Sequence, residues 1–291
     1  MTYLPRSIKR NRRSKSEIES FKASIYGTLS EEQPMTIRHL FYRLVSKGVL
    51  DKTEGEYKAT LVRLLSSMRR NGEVPFYWLA DNTRWMRKPR THTSIANLLD
   101  DCGRTYRRAL WNDQQVYVEV WCEKEAISSI LYQVTDDFDV PLMACHGFAS
   151  ISFIQSAAEN IKEQDKPAHI LYFGDHDPSG QSISHVLERD LKAFSGDADI
   201  TFRRLAVNEP QITDWNLPTR PTKKTDSRSK NFIGESVEVD AIPAKTLQTL
   251  AFNAIRDLID PAAYDAVRAS EASERDSLRI FTQTFLGGAI N

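Results

Sequence analysis

Apolar residues return along the first third of the chain with a helical period. Ile18, Phe21, Ile25 and Leu29 recur every three or four positions and predict a helix from Ser16 to Leu29. Ile37, Leu40, Phe41, Leu44 and Val45 predict a second, with Thr36 placed to cap it and Gly48 to stop it. At about 100° per residue, Tyr42 falls roughly 130° from the centre of that stripe. Arg38, four residues earlier, is therefore predicted to share an exposed flank with Tyr42. Tyr57, Leu61, Leu64, Leu65 and Met68 predict a further helix from Glu56 to Arg70. Its remaining faces carry Lys58, Arg63, Arg69 and Arg70. Asn71-Gly72 ends it, and Glu73 to Leu79 reads as a strand. Asp81-Asn82 makes a turn into the basic, aromatic stretch Thr83–Arg90, which holds Arg84, Arg87 and Lys88.

From residue 93 the pattern changes. Residues 93–111 read as a helix, and Val116–Cys122 as a strand rich in β-formers. That strand ends in Glu123-Lys124-Glu125-Ala126, which opens a helix through Ile127, Ile130 and Leu131. Residues 138–145 suggest a strand running into Gly147, and Ser150–Lys162 a helix. Ala168–Gly174 is a third strand, Gln181–Phe194 a helix, and Ile200–Ala206 a fourth strand. Strands alternating with helices predict a mostly parallel sheet flanked by crossover helices, an α/β class (α+β over the whole chain). Residues 209–235 read as mostly irregular; Arg220, Lys223, Lys224, Arg228 and Lys230 there either reach toward a polyanion or are simply solvated. Val237–Pro243 reads as a last strand and turn, followed by helices over 244–258 and 261–285.

The helix–helix–wing order of the first part is that of a winged helix-turn-helix. In that fold the second helix enters the major groove and the wing lies along the backbone. A small structural helical domain would give the same pattern. The chain accordingly divides into a basic arm and helix (1–29), a winged-helix domain (30–92), a linker helix (93–112), an α/β core (113–208), and a loop with terminal helices completing that core (209–291).

The stretch Leu171-Tyr172-Phe173-Gly174-Asp175-His176-Asp177-Pro178-Ser179-Gly180 carries the strongest chemical signal. A buried strand stops at two carboxylates, where open α/β sheets place their ligands. Asp175 and Asp177 are two apart and can lean the same way. Such paired hard oxygens suit Mg²⁺, which keeps waters and substrate phosphates as its other ligands. A solvated loop is the plain alternative. Glu123 ends another strand on the same predicted edge. Glu119 lies mid-strand and Glu125 inside a helix; Glu238 and Asp240 are expected to be structural.

Charge sharpens the division. The 291 residues balance at 39 basic and 39 acidic side chains, but residues 1–111 hold 22 Lys and Arg against 11 Asp and Glu. A basic half is the footprint of a nucleic-acid surface, unless the two halves merely neutralise each other. No apolar run approaches the roughly 18 residues of a membrane span, and the basic N-terminus lacks the apolar core of a signal peptide. Cys102, Cys122 and Cys145 are widely spaced, without metal-type pairing, which fits a reducing cytoplasm.

A strand ending in Glu, then Gly147, then a strand ending in Asp-x-Asp resembles the Toprim domain of topoisomerases, primases and some nucleases. Glu123-Lys-Glu-Ala and Asp175-His-Asp-Pro-Ser-Gly180 narrow this to the A subunit of type IIB topoisomerases (topoisomerase VI) and its meiotic break-making relatives. Arg38-His39-Leu40-Phe41-Tyr42 is similar to that family's nucleophile motif, with Phe41 where a second tyrosine is common. The resemblance covers roughly residues 30–260, and the short chain, without an ATPase segment, is most like compact solo "Mini-A" homologues. It implies a Mg²⁺-dependent DNA transesterase in which Tyr42 is the nucleophile and Arg38 its cationic support. Glu123 would be the acid–base group, and Glu123, Asp175 and Asp177 the metal ligands. The DNA-facing residues would be Lys58, Arg63, Arg69, Arg70, Arg84, Arg87 and Lys88. It also implies double-stranded DNA as partner, a homodimer in which tyrosine and Toprim meet across protomers, and a separate ATPase (B-type) subunit if strands are passed. The expected location is the cytoplasm of a prokaryote, with the nucleoid or a mobile element. A Toprim nuclease using water, and a non-catalytic DNA-binding protein of a mobile element, are the alternatives.

Overall fold

A computed structural model describes residues 13–79, 89–147, 149–221, 232 and 234–288, with side chains to residue 284. The chain forms two compact units, residues 1–80 and 81–291.

The first unit is helical. Helix α1 (Lys15–Glu32) starts on a reciprocal cap: Ser14 Oγ accepts from the Glu17 amide and the Glu17 carboxylate accepts from the Ser14 amide. Helix α2 (Ile37–Ser46) is capped by Thr36. A π-helical stretch, Glu56–Val62, runs into α3 (Arg63–Arg70). Phe21, Ile25 and Leu29 of α1, Leu40, Phe41 and Leu44 of α2, and Leu61, Leu65 and Met68 form one buried core, so the helical stripes pack as their spacing predicts. The strand expected over Glu73–Leu79 is absent. Phe76–Trp78 is a 3₁₀ turn, and among the described residues only Leu79 of this stretch makes a bridge, to Met35. Pro75 has no amide to give a ladder, and the turn it starts throws Phe76 and Tyr77 outward. The rest of the expected wing, with Arg84, Arg87 and Lys88, lies outside the described residues.

The second unit is α/β, a four-stranded all-parallel sheet flanked by helices. Its strands are β1 (Tyr117–Cys122), β2 (Leu142–Ala144), β3 (Ala168–Phe173) and β4 (Ile200–Ala206), in the order β2-β1-β3-β4. Helix α4 (Ile95–Thr105) precedes them, and α5 (Glu125–Asp137), α6 (Ile151–Glu163) and α7 (Pro178–Ser195) connect them. The expected strand over 138–145 shrinks to β2, because Asp139 turns at positive φ before Val140 and Pro141. Helix α8 (Glu209–Asp214) lies in a stretch that reads as irregular; Pro210 opens it rather than breaking it, and the Asn208 amide donates to Gln211 Oε1 across its first turn. The strand expected at Val237–Pro243 is reduced to bridges from Val237 to His176 and Ser236 to Arg220, then a 3₁₀ turn. Helices α9 (Ala244–Arg256) and α10 (Pro261–Gly288) follow.

The chain leaves β1 for one side of the sheet and β3 for the other. Helices α5 and α9 therefore cover one face, and α6 and α7 the opposite one. Val118, Val120, Cys122, Leu171 and Phe173 fill the first face; Trp121, Ile170 and Tyr172 fill the second. The winding therefore reverses between β1 and β3, and the carboxyl ends of these two strands are where open α/β sheets place their ligands. No helix among the described residues is long and apolar enough to cross a membrane.

Candidate functional site

Carboxylates gather beyond the carboxyl ends of β1 and β3. Glu123 directly follows β1, and Asp175 lies two residues past β3, its neighbour in the sheet. One hydrogen bond joins the pair directly, and two more tie Glu123 to β3. The Asp175 amide donates to Glu123 Oε2 at 2.9 Å, the Tyr172 hydroxyl reaches the same oxygen at 3.5 Å, and the Glu123 amide donates to the Phe173 carbonyl. Gly174 makes this approach possible, since a Cβ there would stand 2.8 Å from Glu123 Oε2 and 2.7 Å from Tyr172 Oη. Burial, reinforced by the negative charge of Asp175, pushes the Glu123 carboxyl up to about 7.

Asp177 caps α7: its Oδ1 accepts from the Gly180 amide at 2.8 Å. Its Oδ2 faces Arg220 Nη2 at 3.4 Å. The three expected acidic residues therefore do gather at one sheet edge. They are joined there by Glu238 and Asp240, both buried, which the 3₁₀ turn brings over the end of β3. The Val239 amide between them donates to Asp175 Oδ1.

Two basic side chains knit this group. Lys124 Nζ lies 2.8 Å from Asp175 Oδ2, 3.1 Å from Glu238 Oε2 and 3.0 Å from Asp240 Oδ2. Burial opposes its charge, but Asp240, Asp175 and Glu238 outweigh that and hold its pKa well above the ordinary lysine value. Arg220 bridges Asp177 to Glu238, the latter at 2.8 Å. Arg220 thus turns inward, a correction to its expected reach toward a polyanion; Lys223, Lys224, Arg228 and Lys230 lie outside the described residues. Arg204 fixes the loop from beneath, donating to the carbonyls of Gly174, Asp175 and Val207.

Among the described residues, no set of three or more His, Cys, Asp or Glu side chains is already arranged around a metal position. Lys124 and Arg220 occupy the spaces between the carboxylates. The donor set itself suits a hard divalent cation. Every candidate ligand is a carboxylate oxygen, and Asp240 Oδ1 is buried without a hydrogen-bond partner among the described residues.

In the first unit, Arg38 and Tyr42 stand together, with Arg38 Nη2 3.4 Å from Tyr42 Oη and the guanidinium 5.6 Å from the ring centre. Tyr42 is not exposed as its helical angle suggests; it is 2% accessible. Periodicity sees only its own helix, whereas the segment after α2 folds over this flank. Lys52 Nζ sits 5.1 Å from the Tyr42 ring, and Arg38 spans Tyr42 and Tyr57. Of the expected DNA-facing residues, Lys58 pairs with Glu54 at 2.9 Å. Arg63, Arg69 and Arg70 have no acidic partner among the described residues.

Lys124, Arg204, Glu238 and Asp240 are the site residues that sequence reasoning passed over or assigned to structure. Lys124 adjoins Glu123, and Glu238 and Asp240 alternate with Val237, Val239 and Ala241, a pattern that buries one set without revealing that both are buried. Searches against protein-family models and against curated proteins return no match to this chain. The fold and site define an α/β unit with an acidic centre at the sheet's topological switch point.

Proposed function

We propose that this protein is a Mg²⁺-dependent, DNA-cleaving transesterase of the kind the type IIB topoisomerase A subunit represents. Its first unit serves as a winged-helix, tyrosine-bearing DNA-binding domain and its second as a Toprim domain. The observation that carries the reading is the gathering of Glu123, Asp175 and Asp177 at the carboxyl ends of β1 and β3. Asp175 and Asp177, with Glu123, would hold Mg²⁺ in competition with Lys124 and Arg220. When bound, the ion supplies Lewis-acid polarisation of the phosphate and stabilises the departing oxygen.

The chain's own groups divide the remaining work. Tyr42 Oη, giving its proton to water as the phenolate forms, attacks the phosphorus of a phosphodiester in duplex DNA. The new O–P bond makes a 5′-phosphotyrosyl link as the bond to the 3′ oxygen breaks. Arg38, already beside Tyr42 Oη, stabilises the phenolate and the phosphate charge. Glu123, pushed up to about 7 in the metal-free site, would be the acid–base group, giving a proton to the departing 3′ oxygen and taking it back on resealing. The ester is conserved, so resealing needs no outside energy source. Cutting both strands takes two tyrosines and hence a two-fold homodimer. A separate B-type ATPase subunit would be needed for driven strand passage.

The burial of Tyr42 favours a second reading, a Toprim nuclease with water as nucleophile. End-labelled duplex incubated with Mg²⁺ separates them. The transesterase reading expects protein-linked 5′ ends that vanish in both Tyr42→Phe and Asp175→Asn. Cutting that persists in Tyr42→Phe and is lost in Asp175→Asn sinks it in favour of the nuclease. Duplex binding without cutting by the wild type leaves only the non-catalytic DNA-binding alternative.

A further inference from the structure

The turn that replaces the expected strand in the first unit has an unusual surface. Phe76 is 64% and Tyr77 75% exposed, two adjacent aromatic rings standing in solvent. They are not on a loose loop. Val74 before them and Trp78 after them are both buried, and Trp78 packs against Tyr26 with ring centres 5.1 Å apart. The Met35 amide donates to the Trp78 carbonyl at 3.1 Å, pinning the turn to the helical core. Holding two rings rigidly in water gives up contact area without an entropic return unless something stacks on them.

The surroundings say what that is. The Arg69 guanidinium lies 4.5 Å from the Phe76 ring centre and has no acidic partner among the described residues, and its Nε is buried without a hydrogen bond. Arg70, next to it at the end of α3, is exposed and likewise without an acidic partner there. The nearby acid, Glu73, is taken up by Lys22 at 3.1 Å and Asn71 at 3.0 Å. Two presented π-faces beside two guanidinium groups without an acidic partner among the described residues match a strand with anionic phosphates and flat, unstacked bases. In an intact duplex the base faces are already covered by their neighbours, whereas a single strand offers them freely.

We propose that Phe76 and Tyr77 form a stacking platform for unpaired bases of a nucleic-acid strand, with Arg69 and Arg70 engaging its phosphates. The inference rests on the DNA-binding part of the reading above and adds a preference for melted or single-stranded segments. Intercalation of these rings into duplex steps is the competing use of the same surface.

The test is fluorescence anisotropy of the full chain with a labelled oligothymidine and with a closed hairpin duplex, at one salt concentration. Phe76→Ala/Tyr77→Ala is expected to weaken oligothymidine binding by roughly tenfold or more and duplex binding by less than about twofold. Both rings are mostly exposed, so the variant should keep the wild-type melting curve. Tyr77→Trp should keep the affinity, with its indole fluorescence quenched on binding. Equal losses on both substrates, or no loss on the single strand, would overturn the platform while leaving the proposed activity standing. A wild-type protein that binds neither nucleic acid would overturn both.

Discussion

Glu119 shows how a single residue in this fold carries a pH signature. It is wholly buried mid-strand in β1, accepting from the Tyr117 hydroxyl at 2.8 Å and from Trp121 Nε1 at 2.6 Å. Burial raises its pKa, and the two donors only partly offset that. The folded state therefore keeps a proton that the unfolded chain releases in the ordinary carboxylate range, about pH 4.3. The sign follows: Glu119 costs no stability below that range, and its cost grows as pH climbs toward the raised folded value. Glu119→Gln, whose amide can accept from Trp121 and donate to Tyr117, should flatten this loss and be the more stable protein above neutrality. Parallel melting-temperature curves for the two proteins from pH 4 to 8 would contradict the assignment.

At the scale of elements, the turn from β3 into α7 carries two duties on one side chain. Asp177 caps the helix and also belongs to the acidic centre. Asn caps about as well as Asp, and Ala caps poorly. Asp177→Asn should hold urea stability within about 0.5 kcal/mol of wild type, and Asp177→Ala should lose about 1 kcal/mol. Both should weaken Mn²⁺ binding measured by calorimetry. If Asn restored metal affinity along with stability, the residue would be a cap alone.

The elements that were legible from the sequence owe it to period and burial together. β1 and β3 read correctly because crossover strands buried on both faces are nearly continuous apolar runs, and β4, an edge strand with Thr201 and Arg203 exposed, because Ile200, Thr201 and Phe202 are strong β-formers. Glu123, Asp175 and Asp177 were legible because they interrupt such runs abruptly. The strand assigned to Glu73–Leu79 fails because alternation says nothing about a partner strand, and among the described residues only Leu79 bridges, to Met35. The exposure assigned to Tyr42 fails because the segment after α2, which covers it, has no periodic relation to α2. Lys124, Glu238 and Asp240 are brought together across more than a hundred residues by the winding of the sheet, and no local pattern encodes that.

For the whole molecule, the proposed activity joins two units that fold around separate cores, one with the tyrosine, the other with the acidic centre. The two-fold assembly proposed for double-strand cleavage places the Tyr42 of one protomer against the carboxylates of another. Mixing Tyr42→Phe with Asp175→Asn protein should then restore part of the cleavage that each variant lacks, because mixed dimers hold one intact pair. Mixtures as inactive as their components, under conditions where subunits exchange, would place tyrosine and carboxylates in the same protomer.

The covalent step is the centre of the account, and it leaves a mark on one residue. Wild-type protein incubated with duplex DNA and Mg²⁺, denatured during turnover, nuclease-trimmed and digested, should yield the peptide containing Tyr42 with a nucleotide joined through a phosphotyrosyl ester. The modification should be absent without metal and absent in Asp175→Asn. DNA cut under these conditions with an unmodified Tyr42 peptide, or with the nucleotide on another residue, would contradict the account.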